Sequence, residues 1–128
     1  FATSQYAYTE SVFKLFECLE DLEQRLSINR FLLGETITEA DWRLFTTLIR
    51  FDAVYVGHFK CNTKRLCDYP NLWSYTRDLY QQPGVSETVN FEHIKTHYYG
   101  SHKTINPNGI IPAGPLINYY EAHNRENT

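Results

Sequence analysis

From Tyr6 to about Leu26 the apolar residues Val12, Leu15, Phe16, Leu19, Leu22 and Leu26 recur at intervals of three and four. Glu10, Lys14, Glu17, Glu20, Asp21 and Gln24 occupy the other side. This is the period of an amphipathic helix with one buried stripe. The stretch from Glu39 to Val56 is different. One apolar row is Ala40, Leu44, Thr47, Phe51 and Val54, and another holds Trp42, Phe45, Leu48, Ile49, Asp52, Tyr55 and Val56. Only Glu39, Arg43, Thr46 and Arg50 suit water, so this helix is expected at the centre of the domain.

Local signals bound the central helix. Thr38 and Asp41 stand three apart as a structural capping box, each side chain expected to bond the other's amide. Ile37 before the cap and Trp42 after it make a hydrophobic staple, and Gly57 is the expected stop. Phe31, Leu32 and Leu33 are expected to plug the gap between the first two helices. His58–Leu66 reads as a polar connector. Pro70 opens a third helix whose inward face is Leu72, Trp73, Thr76, Leu79 and Tyr80, and Pro83-Gly84 closes it. Val85 to Val89 suits one short turn, and Asn90 caps a last helix reaching about Tyr99.

Beyond Gly100 the prolines and glycines of Asn106–Pro115 exclude helix and regular strand. Ile105, Ile110 and Ile111 make this segment apolar, so it is read as an extended strap packed on the helices, with a frayed end from about Glu121. The expected fold is all-α: residues 1–104 form a helical bundle and residues 105–128 an extended strap and tail of the same domain.

With 128 residues there is room for one domain with a core. Net charge is −3 and no Lys/Arg run appears, which argues against nucleic acid as a partner. No apolar run reaches the roughly 18–20 residues of a membrane helix, so no membrane partner is expected. Cys18, Cys61 and Cys67 are odd in number and lack zinc-like spacing, which suits a reducing compartment. Methionine is absent even at position 1, so the chain is expected to be a fragment or a processed product of a longer protein.

Candidate chemistry is sparse. His93 and His97 lie four apart with His102 nearby, but no carboxylate or cysteine stands at a confirming spacing; they are read as helix-end histidines, with no metal. Cys18 beside the first helix's apolar face is read as inert core. No nucleophile elbow, P-loop or dinucleotide fingerprint is present. Asp52, on a face that should be buried, needs a basic side chain or a backbone amide. The tyrosines are the better lead. Tyr55, Tyr98 and Tyr99 leave from helix ends, where a phenol either aims its hydroxyl into a cleft or closes the core rim.

Phe31–Trp42 resembles the capping-box helix in the all-α domain of glutathione transferases. Ala40–Asn62, Asp68–Trp73, Asn90–His102, Ile105–Pro107 and Ile111–Pro115 narrow this to a resemblance to the glutathionyl-hydroquinone reductases, the Xi class. The resemblance implies a C-terminal helical domain whose thioredoxin-like N-terminal partner, absent from this chain, carries a Cys-Pro nucleophile and most of the glutathione site. In that family the cysteine takes the glutathionyl group from a glutathionyl-hydroquinone, and a second glutathione resolves the mixed disulfide. A proton-donating tyrosine of the family falls upstream of Phe1. Tyr55 and Tyr98 match the two tyrosines that support the nucleophile, and Tyr99 beside them is taken as substrate-binding. The resemblance further implies glutathione as cofactor, glutathionyl-hydroquinone-type small molecules as partners and a homodimer. The chain alone is expected to be inactive, and its location to be the cytoplasm, or an organelle in a eukaryote. The competing expectation is a non-catalytic, transferase-like helical module used for docking in a larger assembly.

Overall fold

The computed structural model describes residues 1–128, and its architecture is four helices joined by turns, with no strand beyond the isolated Phe31–Gly34 bridge. Ser4 accepts from the Ala7 amide and opens α1, Gln5–Ile28. The second helix, α2, spans Glu39–Arg50 and runs on through a π turn, Phe51–Tyr55, into a last turn at Val56–His58. Helix α3 is Pro70–Tyr80, with Pro70 at its first position, and α4 is Phe91–Ser101, capped by the Asn90 side chain on the His93 amide.

The central position expected for the second helix is what the structure shows. Phe45, Leu48, Ile49, Phe51, Ala53 and Val54 are all buried, and α1, α3 and α4 pack around them. Its continuation differs from expectation. Gly57 does not end the helix; Lys60, at φ +57°, takes the left-handed conformation instead. Gly57 serves a different purpose. A Cβ there would sit 2.8 Å from the Tyr99 hydroxyl, whose next ring atom is 4.0 Å away. Gly57→Ala is therefore expected to destabilise by about 1–2 kcal/mol, overpacking outweighing the better helix propensity of alanine. Tyr99→Phe should restore the loss in the double variant, because the hydroxyl is the atom in the way. A thermal or urea melt showing no rescue would place the strain elsewhere.

Four buried charged side chains each bond to backbone at a helix end or turn. Asp41, fully buried, accepts from the Thr38 amide at 2.8 Å, from the Leu32 amide at 2.9 Å and from the Tyr75 hydroxyl at 2.7 Å. The carboxylate is the strong arm of the Thr38–Asp41 box; the Thr38 hydroxyl lies 3.4 Å from the same carboxylate, and the Asp41 amide donates to the Thr38 carbonyl. Glu23 of α1 accepts from the Asn71 and Leu72 amides at 2.8 and 2.7 Å, capping α3 from another helix. Asp52 accepts from the Leu66 and Cys67 amides, which settles its partner as backbone. Each carboxylate answers amides that a helix or turn start leaves unpaired.

The fourth charge overturns the expected fraying of the tail. Arg125 is 3% exposed, and its guanidinium donates to the carbonyls of Leu26, Asn29 and Arg30 and to the Ser74 hydroxyl. It caps the C-terminal end of α1, where carbonyls are unpaired and a cation opposes the helix dipole favourably. The strap is tethered by Lys95 to the Gly114 carbonyl and by Asn106 to the Tyr99 and Ile110 carbonyls. Its isoleucines do not carry it: Ile110 and Ile111 are exposed, and the aromatic anchor is Tyr119, buried against Trp73, Tyr80 and Phe91. Two smaller expectations also change. Cys18 faces solvent, and in the first connector Phe31 is buried while Leu33 is exposed, because the short Phe31–Gly34 turn can point only one of them inward.

Candidate functional site

The site grows from the π turn. Widening the helix by one residue per turn directs the Val56 amide to the Phe51 carbonyl and leaves Tyr55 at the rim, and such turns are frequent at functional positions. The turn is held from outside: Asp52 is anchored on the Leu66 and Cys67 amides, and the Tyr99 hydroxyl reaches the Val54 carbonyl at 3.4 Å. Tyr98, in the last turn of α4, meets Tyr55 edge to face with ring centroids 5.9 Å apart. Their hydroxyl oxygens are 3.5 Å apart. That is longer than a settled O–H···O bond of about 2.5–3.0 Å. The two phenols thus converge without satisfying each other, and both can donate to a third atom.

Both tyrosines line a cavity of about 920 Å³ between the start of α1, the π turn and the end of α4. Phe51 and Phe59 supply apolar wall, and buried His58, half-buried Cys61 and exposed Lys60 also line it. The Tyr8 hydroxyl donates to the Lys60 carbonyl at 2.6 Å and ties α1 to this rim. No Asp or Glu lines the cavity, so the one side chain there that is always charged near neutral pH is the cation Lys60. Burial, and then the neighbouring Tyr98 hydroxyl, push the Tyr55 phenol up to about 12, so it stays protonated and remains a donor.

The cysteines are not set up as nucleophiles. Burial raises the Cys61 thiol above its ordinary range, and Cys67 is raised by burial and then by Asp52. Cys18 is exposed on α1, outside the cavity. A reactive thiolate needs a neighbourhood that lowers its pKa, and neither Cys61 nor Cys67 has one.

Tyr99, expected at the substrate, is not with the other two. It is 8% exposed, does not line the cavity, and wedges between Gly57 and the Val54 carbonyl. Adjacent residues on a helix point about 100° apart, so Tyr98 in the cleft sends Tyr99 into the packing. Thr38 and Asp41 lie at the other end of the central helix, away from the cavity. His93 and His97 are exposed on α4. His58, Phe59 and Cys61 line the cavity although the run from His58 reads in sequence as a polar connector. The available signal was spacing: His58 follows Tyr55 by three, one helical turn, on the same face. A second hollow of about 700 Å³, walled by Trp42, Phe45, Ile49, Val85 and Val89, contains none of the three tyrosines.

Residues 5–78 match the family described as glutathione S-transferase, C-terminal domain. The chain is 59% identical over 126 residues to glutathionyl-hydroquinone reductase YqjG of Escherichia coli, covering 98% of this chain and 38% of that protein. It is 52% identical over 115 residues to glutathionyl-hydroquinone reductase PcpF of Sphingobium chlorophenolicum, covering 90% of this chain and 37% of that one. The glutathione-bound structure of the Escherichia coli protein superposes with a TM-score of 0.97 at 58% identity, over 99% of this chain and 41% of that chain. A Xi-class glutathione transferase from Natrialba magadii superposes at 0.98 with 44% identity, over 100% of this chain and 39% of that chain. The chain therefore spans about two fifths of the proteins it resembles.

Proposed function

The chain belongs to the glutathione S-transferase C-terminal-domain family, and from that premise we propose that it is the substrate-side domain of a glutathionyl-hydroquinone reductase of the Xi class. The observation that carries the reading is the convergence of the Tyr55 and Tyr98 hydroxyls, 3.5 Å apart, in a cavity without carboxylates. Its relatives named as glutathionyl-hydroquinone reductases support the same reading. In this proposal a cysteine thiolate from a thioredoxin-like domain outside these residues meets the two hydroxyls. It attacks the sulfur of a glutathionyl-hydroquinone. The aryl carbon–sulfur bond breaks, a proton goes to the ring carbon, and the cysteine is left in a disulfide with glutathione. Attack of a second glutathione releases glutathione disulfide and restores the thiol. Glutathione is held mainly by the other domain, and no metal takes part. Homodimer assembly and a cytoplasmic location belong to the same proposal.

The part played by this chain is electrostatic. A hydrogen bond stabilises the charged form of the group that accepts it, so two phenols donating to sulfur lower its pKa. A charge-assisted bond of ~1.5–3 kcal/mol corresponds to roughly one to two pKa units. Phenylalanine keeps each ring and removes only the donor. In the complete protein, Tyr55→Phe and Tyr98→Phe should each raise the thiol pKa by about one unit or more with little loss of stability. The pH dependence of thiol alkylation reads this directly. If both variants match the parent profile, the tyrosines are packing residues and the proposal fails. Residues 1–128 alone should show no turnover of a glutathionyl-hydroquinone.

A further inference from the structure

Tyr55 and His58 are three residues apart at the end of one helix, and Tyr98 and His102 four apart at the end of another. Both spacings put the histidine on its tyrosine's face. The two helix ends are thus joined by two rungs. One is the Tyr55–Tyr98 approach at 3.5 Å; the other is a hydrogen bond of 2.9 Å between His58 Nε2 and His102 Nδ1. The imidazole planes are 26° apart and the centroids 5.2 Å, about the nitrogen–nitrogen distance plus two ring radii. The rings meet end to end through their nitrogens, not face to face.

Only one proton fits in that bond, and the surroundings select its owner. His58 is 4% exposed, and its Nδ1 is buried with no partner. An unmet lone pair is tolerated there more readily than an unmet N–H. His58 therefore carries its proton on Nε2 and donates to His102, whose own proton is on its Nε2. Protonating His102 would set an N–H on Nδ1 against the N–H of His58, donor against donor. The bond could re-form only by moving the His58 proton onto buried Nδ1. The rings facing the pair are Phe1, Phe59, His97, Tyr98 and Tyr99, no carboxylate faces it, and Lys60 adds positive charge nearby. Burial, followed by His102, lowers the pKa of His58. A lowered imidazole pKa keeps the neutral pair intact below the ordinary value of about 6.5, and the pair is lost only as pH falls through that lowered pKa.

We propose that the His58–His102 bond is a proton-sensitive latch that sets the spacing of the Tyr55 and Tyr98 hydroxyls, making the two histidines positioning residues of the tyrosine site. Its catalytic meaning rests on the function proposed above; its geometry does not. The contact of Tyr99 with Ala53, Val54 and Gly57 keeps the helices docked when the latch opens, so the effect is a splay of the two ends and not unfolding.

Nuclear magnetic resonance of the chain, with labelled histidine and tyrosine, tests this without the thiol. Near pH 7.5 His58 is expected in the Nε2–H form. As pH falls below about 6.5 the ring signals of Tyr55 and Tyr98 should move together with the loss of the His58–His102 bond, read from the histidine ring-nitrogen signals. The pair His58→Gln with His102→Asn keeps a donor facing an acceptor but nothing that titrates, and should hold those tyrosine signals flat. A proton on His58 Nδ1, tyrosine signals that stay fixed while the histidine bond is lost, or signals that still move in the double variant would each overturn the latch. The measurements on the unsubstituted chain decide the matter even if the variant folds poorly. Unchanged alkylation profiles in the Tyr→Phe variants would sink the catalytic reading while leaving this result intact.

Discussion

Replacing Asp41 by alanine is expected to remove about 3–5 kcal/mol of stability, a large share of the roughly 5–15 kcal/mol that a domain usually has. The side chain is fully buried and serves three strong donors at once, the amides of Leu32 and Thr38 and the hydroxyl of Tyr75. Each donor left unmet in the interior costs about 1–3 kcal/mol. Tyr75 is itself buried, and burial together with its bond to Asp41 holds the phenol protonated far above its ordinary range. Asparagine should restore little, because it turns an NH₂ toward donors. Tyr75→Phe removes one of the orphaned groups, so the double variant should lose less than the two single losses added together. Urea midpoints of the four proteins close this cycle. An Asp41→Ala midpoint within about 0.5 kcal/mol of the parent would show that the capping network is not formed.

Arg125→Ala is the second large effect, expected at about 2–4 kcal/mol. On sequence grounds the segment from about Glu121 is expected to fray, so a residue there would matter little to stability. Here the guanidinium is buried, bonds to three backbone carbonyls, and covers the C-terminal end of α1. Burial lowers its pKa, but arginine stays charged at any ordinary pH, so the contribution should be independent of pH. The rest of the tail adds to it: Arg77 and Gln81 donate to the carbonyls of Ala122, Tyr119 and Glu121. Lysine should recover only part of the loss, because a point charge cannot reproduce the planar fork whose Nη2 meets the carbonyls of Leu26, Asn29 and Arg30 while Nη1 meets the Ser74 hydroxyl. Hydrogen exchange offers a local check. In the alanine variant, protection should fall first at the α1 end and in the Ser27–Ile37 connector. A melt unchanged by the substitution would mean that the tail does not clamp the fold.

These two residues mark where sequence reasoning reaches and where it stops. Asp41 announced itself three positions from Thr38, because a capping box is a local pattern closed within one turn. The central place of α2 was equally visible, since a helix apolar on most of its circumference has nowhere else to go. Tyr55 and Tyr98 could be named because helix ends were assignable, and resemblance added their pairing.

The features missed have one physical cause: each is a bond between residues far apart in the chain. Glu23 lies on α1 and caps α3, 48 and 49 residues away, and Arg125 caps α1 across nearly the whole chain, 95 to 99 residues away. Nothing adjacent to either in sequence distinguishes it from an exposed charge. The π turn is likewise invisible locally, for Phe51–Tyr55 contains no glycine or proline and is held by Asp52 and Tyr99 reaching other segments. Tyr99 shows the same limit, because its sequence position beside Tyr98 placed it at the substrate while helix rotation turned it into the core. The sequence by itself determined the helices, the local caps at Thr38–Asp41 and Asn90 and the central strut, because those follow from spacing within a few turns. Tertiary structure alone decided the remote caps, the π turn and the His58–His102 rung, because each arises only when distant backbone and side chains are brought within bonding distance.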